Sequence, residues 1–222
     1  MIQTLLIKKQ QMTVSRWSGG TTTQIDIFPE GSTYGSRDFL FRVSSATIEE
    51  SPSQFTALPD YQRWITMLSG PVVLEHGQET GPEELERLEL QPLEIHSFDG
   101  GMPTKSVGEA RDFNLMLRKG LVGNMLALSA GPEADPKLIE KWLSDRRPET
   151  LGHLAVYWPE GTSVADKAQA AEEAALQVVF DSRKVLLNQG DYLRLSGPVK
   201  ALKEVRLSLD EDITLLLLYM ET

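Results

Sequence analysis

Apolar and polar residues alternate along short stretches of this chain, and turn-forming residues separate those stretches. In the segment DFLFRVSSATI, Phe41 and Val43 alternate with Arg42 and Ser44, so a strand here would have one apolar and one largely polar face. The segment RDFNLML shows the same period of two. Because this period belongs to strands and not to helices, the pattern predicts an all-β fold, either a sandwich or a barrel.

Further strands are predicted in RWITMLSGPVVLEH, HLAVYW, LQVVFD, RKVLLNQGDYLRL and DITLLLLYM. The Ser69-Gly70-Pro71 turn and the turn at residues 188–191 each predict a hairpin between the strands that flank them. The run DITLLLLYM is apolar on both faces, which predicts a deeply buried strand. One helix is predicted that begins at Pro136 and ends before Pro148, with Asp135 as its cap. A change in composition near residues 120–136 suggests that two β-units join there.

Composition limits the classes of function. The 222 residues include 32 acidic and 22 basic ones, a net charge of −10, which argues against a surface for nucleic acid or an anionic membrane. The chain contains no cysteine, so disulfides, thiolate metal ligands and cysteine nucleophiles are excluded. The N-terminal residues have the reverse of the charge order of a secretory signal, which predicts a cytoplasmic protein.

The stretch WSGGTTTQ joins Trp17 to two glycines and a run of threonines. A Walker loop would need a lysine after its last glycine, and Thr21 stands there instead. Two interpretations remain open: Gly19 and Gly20 form a turn into a threonine-rich strand, or they let the backbone approach a ligand that Trp17 and a threonine hydroxyl contact.

The three histidines, His76, His96 and His153, are scattered along the chain and form no His-x-His pair. The pattern therefore predicts no metal site and no cofactor, and His76 is expected to be an exposed strand residue. A Gly-x-Ser-x-Gly nucleophile motif is also missing from the sequence.

Polar residues share a face on two of the predicted strands. Arg42 and Ser44 on one, with Asp112 and Asn114 on the other, would form a compact patch if the strands are neighbours in a barrel. A guanidinium in such a patch could bind a carboxylate, with Asp112 orienting it or accepting from the ligand. The period of two leaves open whether this face points into the barrel or to solvent.

The order of several short motifs resembles the HutD/Ves family across about residues 10 to 120. The motifs are Trp17-x-Gly-Gly-x-Thr, Phe41-Arg42-x-Ser44-x-Ala46, Phe55 with Pro59, Arg63, Leu68-x-Gly70, LEH, FDGG and DFNLM. The later half of the chain fits in its strand-rich character and in QGDYLRL. Many members have a longer glycine run after the tryptophan, whereas this chain has Ser18 and only two glycines.

The resemblance implies a cupin-like fold of the RmlC-like jelly-roll type, as a bicupin. Two stacked β-barrel units, residues 1–120 and 121–222, would carry one or two short helices. It also implies an association with histidine utilisation and favours a pocket over a solvated face. The ligand-binding residues that it implies are Trp17, Gly19, Gly20, Thr22, Arg42, Ser44, Arg63, Asp112 and Asn114.

Three functional hypotheses follow. The first is a non-catalytic cupin that binds a small carboxylate and modulates amino-acid catabolism. The second is a metal-independent isomerase or epimerase with Asp112 as base and His76 or His96 as acid. The third is a structural or protein-binding cupin with a filled barrel. A homodimer is expected by default, because exposed sheet edges pair readily across a two-fold axis.

Overall fold

The computed structural model describes residues 1–17, 19–49, 51–77, 85–160, 176–209 and 212–222. These residues form two compact units, one of Met12–Leu121 and one that combines Met1–Gln11 with Val122–Thr222. Hydrogen-bonded antiparallel strands build both units, in agreement with the all-β prediction. In chain order the strands are β1 Gln3–Ile7, β2 Thr13–Trp17, β3 Gly20–Phe28, β4 Phe41–Ile48, β5 Ser53–Gln54, β6 Tyr61–Ser69, β7 Val72–His76, β8 Glu86–Leu90, β9 His96–Asp99, β10 Thr104–Val107, β11 Ala110–Arg118, β12 Gly123–Ala130, β13 Leu151–Tyr157, β14 Leu176–Phe180, β15 Arg183–Leu187, β16 Tyr192–Pro198, β17 Arg206–Ser208 and β18 Ile213–Glu221.

The unit of residues 12–121 contains two sheets. Its six-stranded sheet has the order β2-β3-β4-β11-β6-β9, and its four-stranded sheet has the order β5-β10-β7-β8. Side chains from both sheets meet in one apolar cluster that includes Ile65 and Met67 of β6 and Leu74 of β7, each fully buried. Burial of these apolar faces holds the two sheets of this unit together.

The second unit pairs a five-stranded sheet, β1-β16-β13-β18-β12, with a three-stranded sheet, β15-β14-β17. Strand β18 lies between β13 and β12, and its residues 213–220 are all buried. This confirms the deep burial that its unbroken apolar run predicts. Strand β1 pairs with β16, so the first eleven residues lie in this unit and not with the residues that directly follow them. The N-terminus thereby differs from the predicted division into residues 1–120 and 121–222.

Both predicted hairpins are wrong. Strand β6 pairs with β11 and β9, whereas β7 pairs with β10 and β8, so the Ser69-Gly70-Pro71 turn carries the chain from one sheet to the other. The turn at residues 188–191 similarly separates β15 and β16, which belong to different sheets. Strand β15 instead forms a hairpin with β14 through Asp181 and Ser182, both with positive φ. Turn residues mark where a strand ends, but they do not determine its pairing partner.

Helical structure is confined to short segments of the described chain. Helix α1 covers Leu138–Trp142, and the Asp135 carboxylate accepts a hydrogen bond from the Lys137 backbone N–H just before it. The predicted helix is therefore present but begins two residues later than Pro136. A second helix, α2, covers Val199–Leu202. In the described ranges we find no helix long and apolar enough to cross a membrane.

Candidate functional site

The polar residues of the two alternating strands lie together on one face of the six-stranded sheet. Strands β4 and β11 are neighbours, with Ser44 opposite Asn114 and Ala46 opposite Asp112. On the other side of β11, Met116 is opposite Arg63 of β6, just as it is opposite Arg42 of β4. The sequence left open whether the two polar strands are neighbours, and the structure shows that they are.

This face lines a cavity of about 260 Å³ in the unit of residues 12–121. Seven of the nine sequence-predicted ligand residues line it: Trp17, Thr22, Arg42, Ser44, Arg63, Asp112 and Asn114. Gly19 and Gly20 are not part of the lining. The sequence did not single out the other lining residues as ligand contacts: Ser15, Tyr34, Ala46, Ile48, Gln54, Phe55, Thr56 and Met116. The cavity disfavours the hypothesis of a filled barrel.

Arg42 is buried and held by neighbouring side chains. Its Nε donates to Gln24 Oε1 at 3.0 Å, and its Nη1 donates to Ser44 Oγ at 2.9 Å. The guanidinium also lies 4.5 Å from the centre of the Tyr34 ring, within the range of a cation–π contact. Burial is the main reason that the pKa of Arg42 falls to about 10, and the charge of Arg63 lowers it further. The arginine remains cationic at neutral pH.

Arg63 is only 5% exposed, and its Nε and Nη1 have no hydrogen-bond partner among the described residues. Its guanidinium lies 5.2 Å from the ring centre of Phe55 and 5.8 Å from that of Phe98. Burial lowers its pKa, although the neighbouring Tyr34 and Asp112 act in the opposite direction. Unpartnered buried N–H groups are costly, so these two donors favour a hydrogen-bonding partner that the described residues do not supply.

Asp112 is the acidic residue of the lining, and it is 4% exposed. Its Oδ1 accepts a hydrogen bond from the Ala46 backbone N–H at 2.8 Å, and the Asn114 side chain donates a second one. Burial raises the pKa of Asp112 to about 6, against the opposing effect of these hydrogen bonds and of the charges of Arg63 and Arg42.

The expected pairing of Arg42 with Asp112 is not formed at contact distance within the described chain. Arg42 donates to Gln24 and Ser44, and the Asp112 carboxylate is held by backbone and amide groups. The two arginines act on Asp112 only through their charge. The Asn114 side chain donates to Asp112, whereas its buried Oδ1 has no hydrogen-bond partner among the described residues.

The two glycines of WSGGTTTQ do not line the cavity, but they allow close packing next to its wall. A Cβ at Gly19 would overlap the indole ring of Trp17, so the absence of a side chain lets this ring lie against the backbone. Gly20 has φ of 147°, and a Cβ there would overlap the Thr47 carbonyl oxygen of the neighbouring strand. The stretch is thus a turn into strand β3, and Trp17 and Thr22 on either side of it line the cavity.

Tyr34 is a lining residue that sequence reasoning missed. It lies between β3 and β4, outside any periodic segment, and its ring faces Arg37 at 3.9 Å as well as Arg42. Burial would raise its pKa, but hydrogen bonds from Arg37 and Thr56 and the charges of Arg37 and Arg63 lower it overall. The only sequence signal was an aromatic residue in a loop rich in glycine and serine.

The histidines do not line the cavity. His76 is 3% exposed, so its predicted exposure is wrong. Its Nε2 lies 3.0 Å from Nε2 of His96, although the two residues are twenty positions apart in the chain. Burial lowers the pKa of both histidines, and the charge of His96 lowers that of His76 further, while Glu86 raises both. The described residues contain no group of three or more His, Cys, Asp or Glu side chains placed to hold a metal ion.

The chemistry of the lining favours an anion. Two buried guanidinium groups face one carboxyl group whose pKa is close to neutrality, so the cavity carries excess positive charge in a chain of net charge −10. Arginine binds carboxylates with two parallel hydrogen bonds, and Trp17 and Phe55 add aromatic surface to the lining beside these arginines.

Comparisons with solved structures identify the fold. A conserved protein of unknown function from Pseudomonas aeruginosa PAO1 has a TM-score of 0.69 and 15% identity, covering 99% of this chain and 100% of that one. HutD from Pseudomonas fluorescens SBW25, in a formate condition, has a TM-score of 0.59 and 20% identity with the same coverage. Bacillus subtilis oxalate decarboxylase has a TM-score of 0.56 and 8% identity, covering 96% of this chain and 76% of that one.

These similarities confirm the cupin-like all-β fold. Among functionally curated proteins, no sequence matches this chain. The family model for HutD matches residues 9–140, which is more than half of the 222 residues and includes every predicted ligand residue. The cavity-bearing unit with its two arginines is therefore the part of the chain in which the family pattern falls, and the chain belongs to the HutD family.

Proposed function

We propose that this protein binds a small carboxylate in the cavity of residues 12–121 and acts without catalysing a reaction on it. The observation that carries this proposal is the unpartnered guanidinium of Arg63, with Nε and Nη1 buried and free of hydrogen bonds within the described chain. These two N–H donors lie on different edges of the guanidinium, and each can donate a charge-assisted hydrogen bond to a ligand oxygen.

Arg42 plays a different part in this proposal. Because Gln24 and Ser44 accept from its Nε and Nη1, its orientation is fixed before the ligand arrives. It contributes positive charge at close range with little loss of side-chain freedom on binding. Asn114 Oδ1 supplies an acceptor, so the ligand is expected to carry a hydrogen-bond donor as well as its carboxylate.

The size of the cavity supports a ligand no larger than an amino acid. At about 260 Å³ it lies below the range of roughly 300–1,000 Å³ that is usual for drug-sized ligands. Membership of the HutD family favours a carboxylate of histidine breakdown, and a modulating role in that pathway is part of the proposal.

Titration calorimetry tests the proposal with formate, histidine, urocanate, glutamate, formylglutamate and formiminoglutamate. From the size of the cavity we expect histidine, urocanate or glutamate to bind, and Arg63→Met to weaken that binding about 100-fold or more, since two charge-assisted hydrogen bonds are lost. Arg87→Met removes an exposed arginine of the same unit and should bind like the parent. No binding of any of the six at millimolar concentration would contradict the proposal.

One observation favours a second candidate, a metal-independent isomerase or epimerase. The pKa of Asp112, raised to about 6 by burial, suits a general base near neutral pH. The acid expected from the sequence is not in place, because neither His76 nor His96 lines the cavity. Exchange of a ligand's Cα hydrogen for solvent deuterium, followed by NMR and lost in Asp112→Asn, would favour this candidate over simple binding.

A further inference from the structure

The imidazoles of His76 and His96 converge from two different sheets of the same unit. His76 ends strand β7 of the four-stranded sheet, and His96 begins strand β9 of the six-stranded sheet. Their Nε2 atoms are 3.0 Å apart, and their ring centres are 5.1 Å apart with 38° between the planes. The ring of Phe98 lies 4.9 Å from His76 and 5.6 Å from His96, which packs the pair from one side.

The hydrogen bonds around His76 fix which of its nitrogens carries the proton. Thr104 Oγ1 donates its only proton to the Met102 carbonyl oxygen at 3.0 Å. Toward His76 Nδ1, also 3.0 Å away, the hydroxyl must therefore accept, so neutral His76 is protonated on Nδ1. Its Nε2 then presents a lone pair to His96, whose own Nε2 supplies the single proton between the two rings.

Metal-binding histidines have this same arrangement, with one ring nitrogen donating to an oxygen and the other directed at the ion. A tetrahedral zinc with bonds of about 2.0–2.1 Å separates two nitrogen ligands by roughly 3.3 Å. To admit such an ion in place of the shared proton, the pair would open by about 0.3 Å and both rings, whose Nε2 atoms now face each other, would tilt so that their lone pairs converge on it. His96 would then move its proton from Nε2 to Nδ1, so both rings would bind as neutral imidazoles and no proton would be released.

We propose that His76 and His96 form a site for a divalent d-block cation such as Zn²⁺, Ni²⁺ or Cu²⁺, with water completing its coordination. Imidazole nitrogen selects these ions over Mg²⁺ and Ca²⁺, which prefer oxygen ligands. His96 is only partly buried, which gives the ion a route to the buried His76. Glu86, the cross-strand partner of His76, adds a negative charge to the approach.

Two protein ligands make this site weaker than a centre with three or four, because the described residues supply no larger group. The site is separate from the carboxylate cavity, since neither histidine belongs to its lining, and it does not depend on the proposed function. An ion bound here would join the two sheets of the unit through β7 and β9.

Calorimetry on untagged, chelator-treated protein with ZnCl₂, NiCl₂ and MgCl₂ tests the proposal. We expect Zn²⁺ and Ni²⁺ to bind at one ion per chain, and Mg²⁺ to give no signal. His96→Gln should weaken Zn²⁺ at least about 10-fold, and Thr104→Val should weaken it by a similar factor through the lost orienting contact. His153→Gln, in the other unit, should leave binding unchanged.

A measurement on the parent protein guards against variants that fold poorly. With one equivalent of Cu²⁺, the electron paramagnetic resonance spectrum should show coupling to two imidazole nitrogens. Absence of Zn²⁺ and Ni²⁺ binding at millimolar concentration, undiminished affinity in His96→Gln, or a copper spectrum without two nitrogen ligands would each overturn the proposal.

Discussion

Arg42 and Arg63 lie at the same level of the six-stranded sheet, because each is the cross-strand partner of Met116 on the strand between them. Two guanidinium groups are thus placed on either side of one methionine, in a cavity whose acidic lining residue is Asp112. One arginine is held by neighbouring oxygens and the other has two unused donors. In the proposed carboxylate site, Arg42 would therefore supply positive potential while Arg63 would donate hydrogen bonds to the ligand.

Replacing Arg42 by lysine should keep the positive charge but lose the planar arrangement of hydrogen-bond donors. An ammonium group cannot reproduce the planar pair of bonds to Gln24 and Ser44, so we expect carboxylate affinity to fall about 10-fold. Arg42→Met should abolish binding, because it also removes the charge. Calorimetry gives the affinities and a thermal melt checks the fold. Parent-like affinity in both variants would show that Arg42 has no part in the site.

The charge state of Asp112 should make carboxylate binding depend on pH. Its pKa is raised to about 6, so it is largely neutral at pH 5 and ionised at pH 7.5, where it repels a bound carboxylate. Affinity should therefore be about 10-fold higher at pH 5 than at pH 7.5. Asp112→Asn should bind tightly and equally at both values, whereas the surface variant Asp60→Asn should behave like the parent. An affinity that rises with pH would contradict this assignment.

Gly20→Ala should destabilise the cavity-bearing unit by about 2 to 4 kcal/mol, since it combines a strained φ with an overlap against the Thr47 carbonyl. Gly35→Ala is the matched control, because a Cβ there meets nothing within 4 Å and should change stability by less than about 0.5 kcal/mol. Urea unfolding of both variants gives the comparison. Similar stability of the two would show that the turn after Trp17 tolerates a side chain.

His153, in the second unit, should make that unit sensitive to acid. Burial, assisted by the charge of Arg194, lowers its pKa from 6.5 to about 4. A pKa depressed by folding contributes stability that is complete above about pH 6.5 and is lost as pH falls toward 4, on the order of 3 kcal/mol in all.

Urea unfolding at pH 7 and pH 4.5 should therefore show a stability difference between the parent and His153→Gln that shrinks markedly at the lower pH. A stability difference that is the same at both pH values would show that another group causes the acid sensitivity. Comparing the two proteins at each pH removes the contribution of all other titrating groups.

Period-two alternation in the sequence was enough to predict strands such as β4 and β11 and their polar faces, whereas strands such as β1, β8, β9, β10 and β12 were not predicted. Arg42, Ser44, Asp112 and Asn114 meet because β4 and β11 pair in a register that alternation alone makes possible but does not determine. The partners of individual strands could not be predicted, since the turn at residues 69–71 looks the same whether it closes a hairpin or crosses between sheets.

Two features of the structure could not be predicted from the sequence because they depend on contacts between distant segments. Tyr34 lies in a loop without periodicity, and only the folded chain brings its ring beside Arg42. The contact of His76 with His96 joins strands of different sheets, and a search for neighbouring histidines along the sequence could not find it. Short-range patterns report on faces and ends of strands, whereas these contacts arise from the tertiary fold.

The placement of strand β1 has a consequence for synthesis on the ribosome. Residues 12–121 are continuous in the chain, so the cavity-bearing unit can fold as soon as Leu121 has left the exit tunnel. The other unit must wait, because its first strand precedes that segment and strand β18, which lies inside its five-stranded sheet, ends at Glu221. We therefore expect the nascent protein to acquire its cavity before its N-terminus has a finished sheet to join.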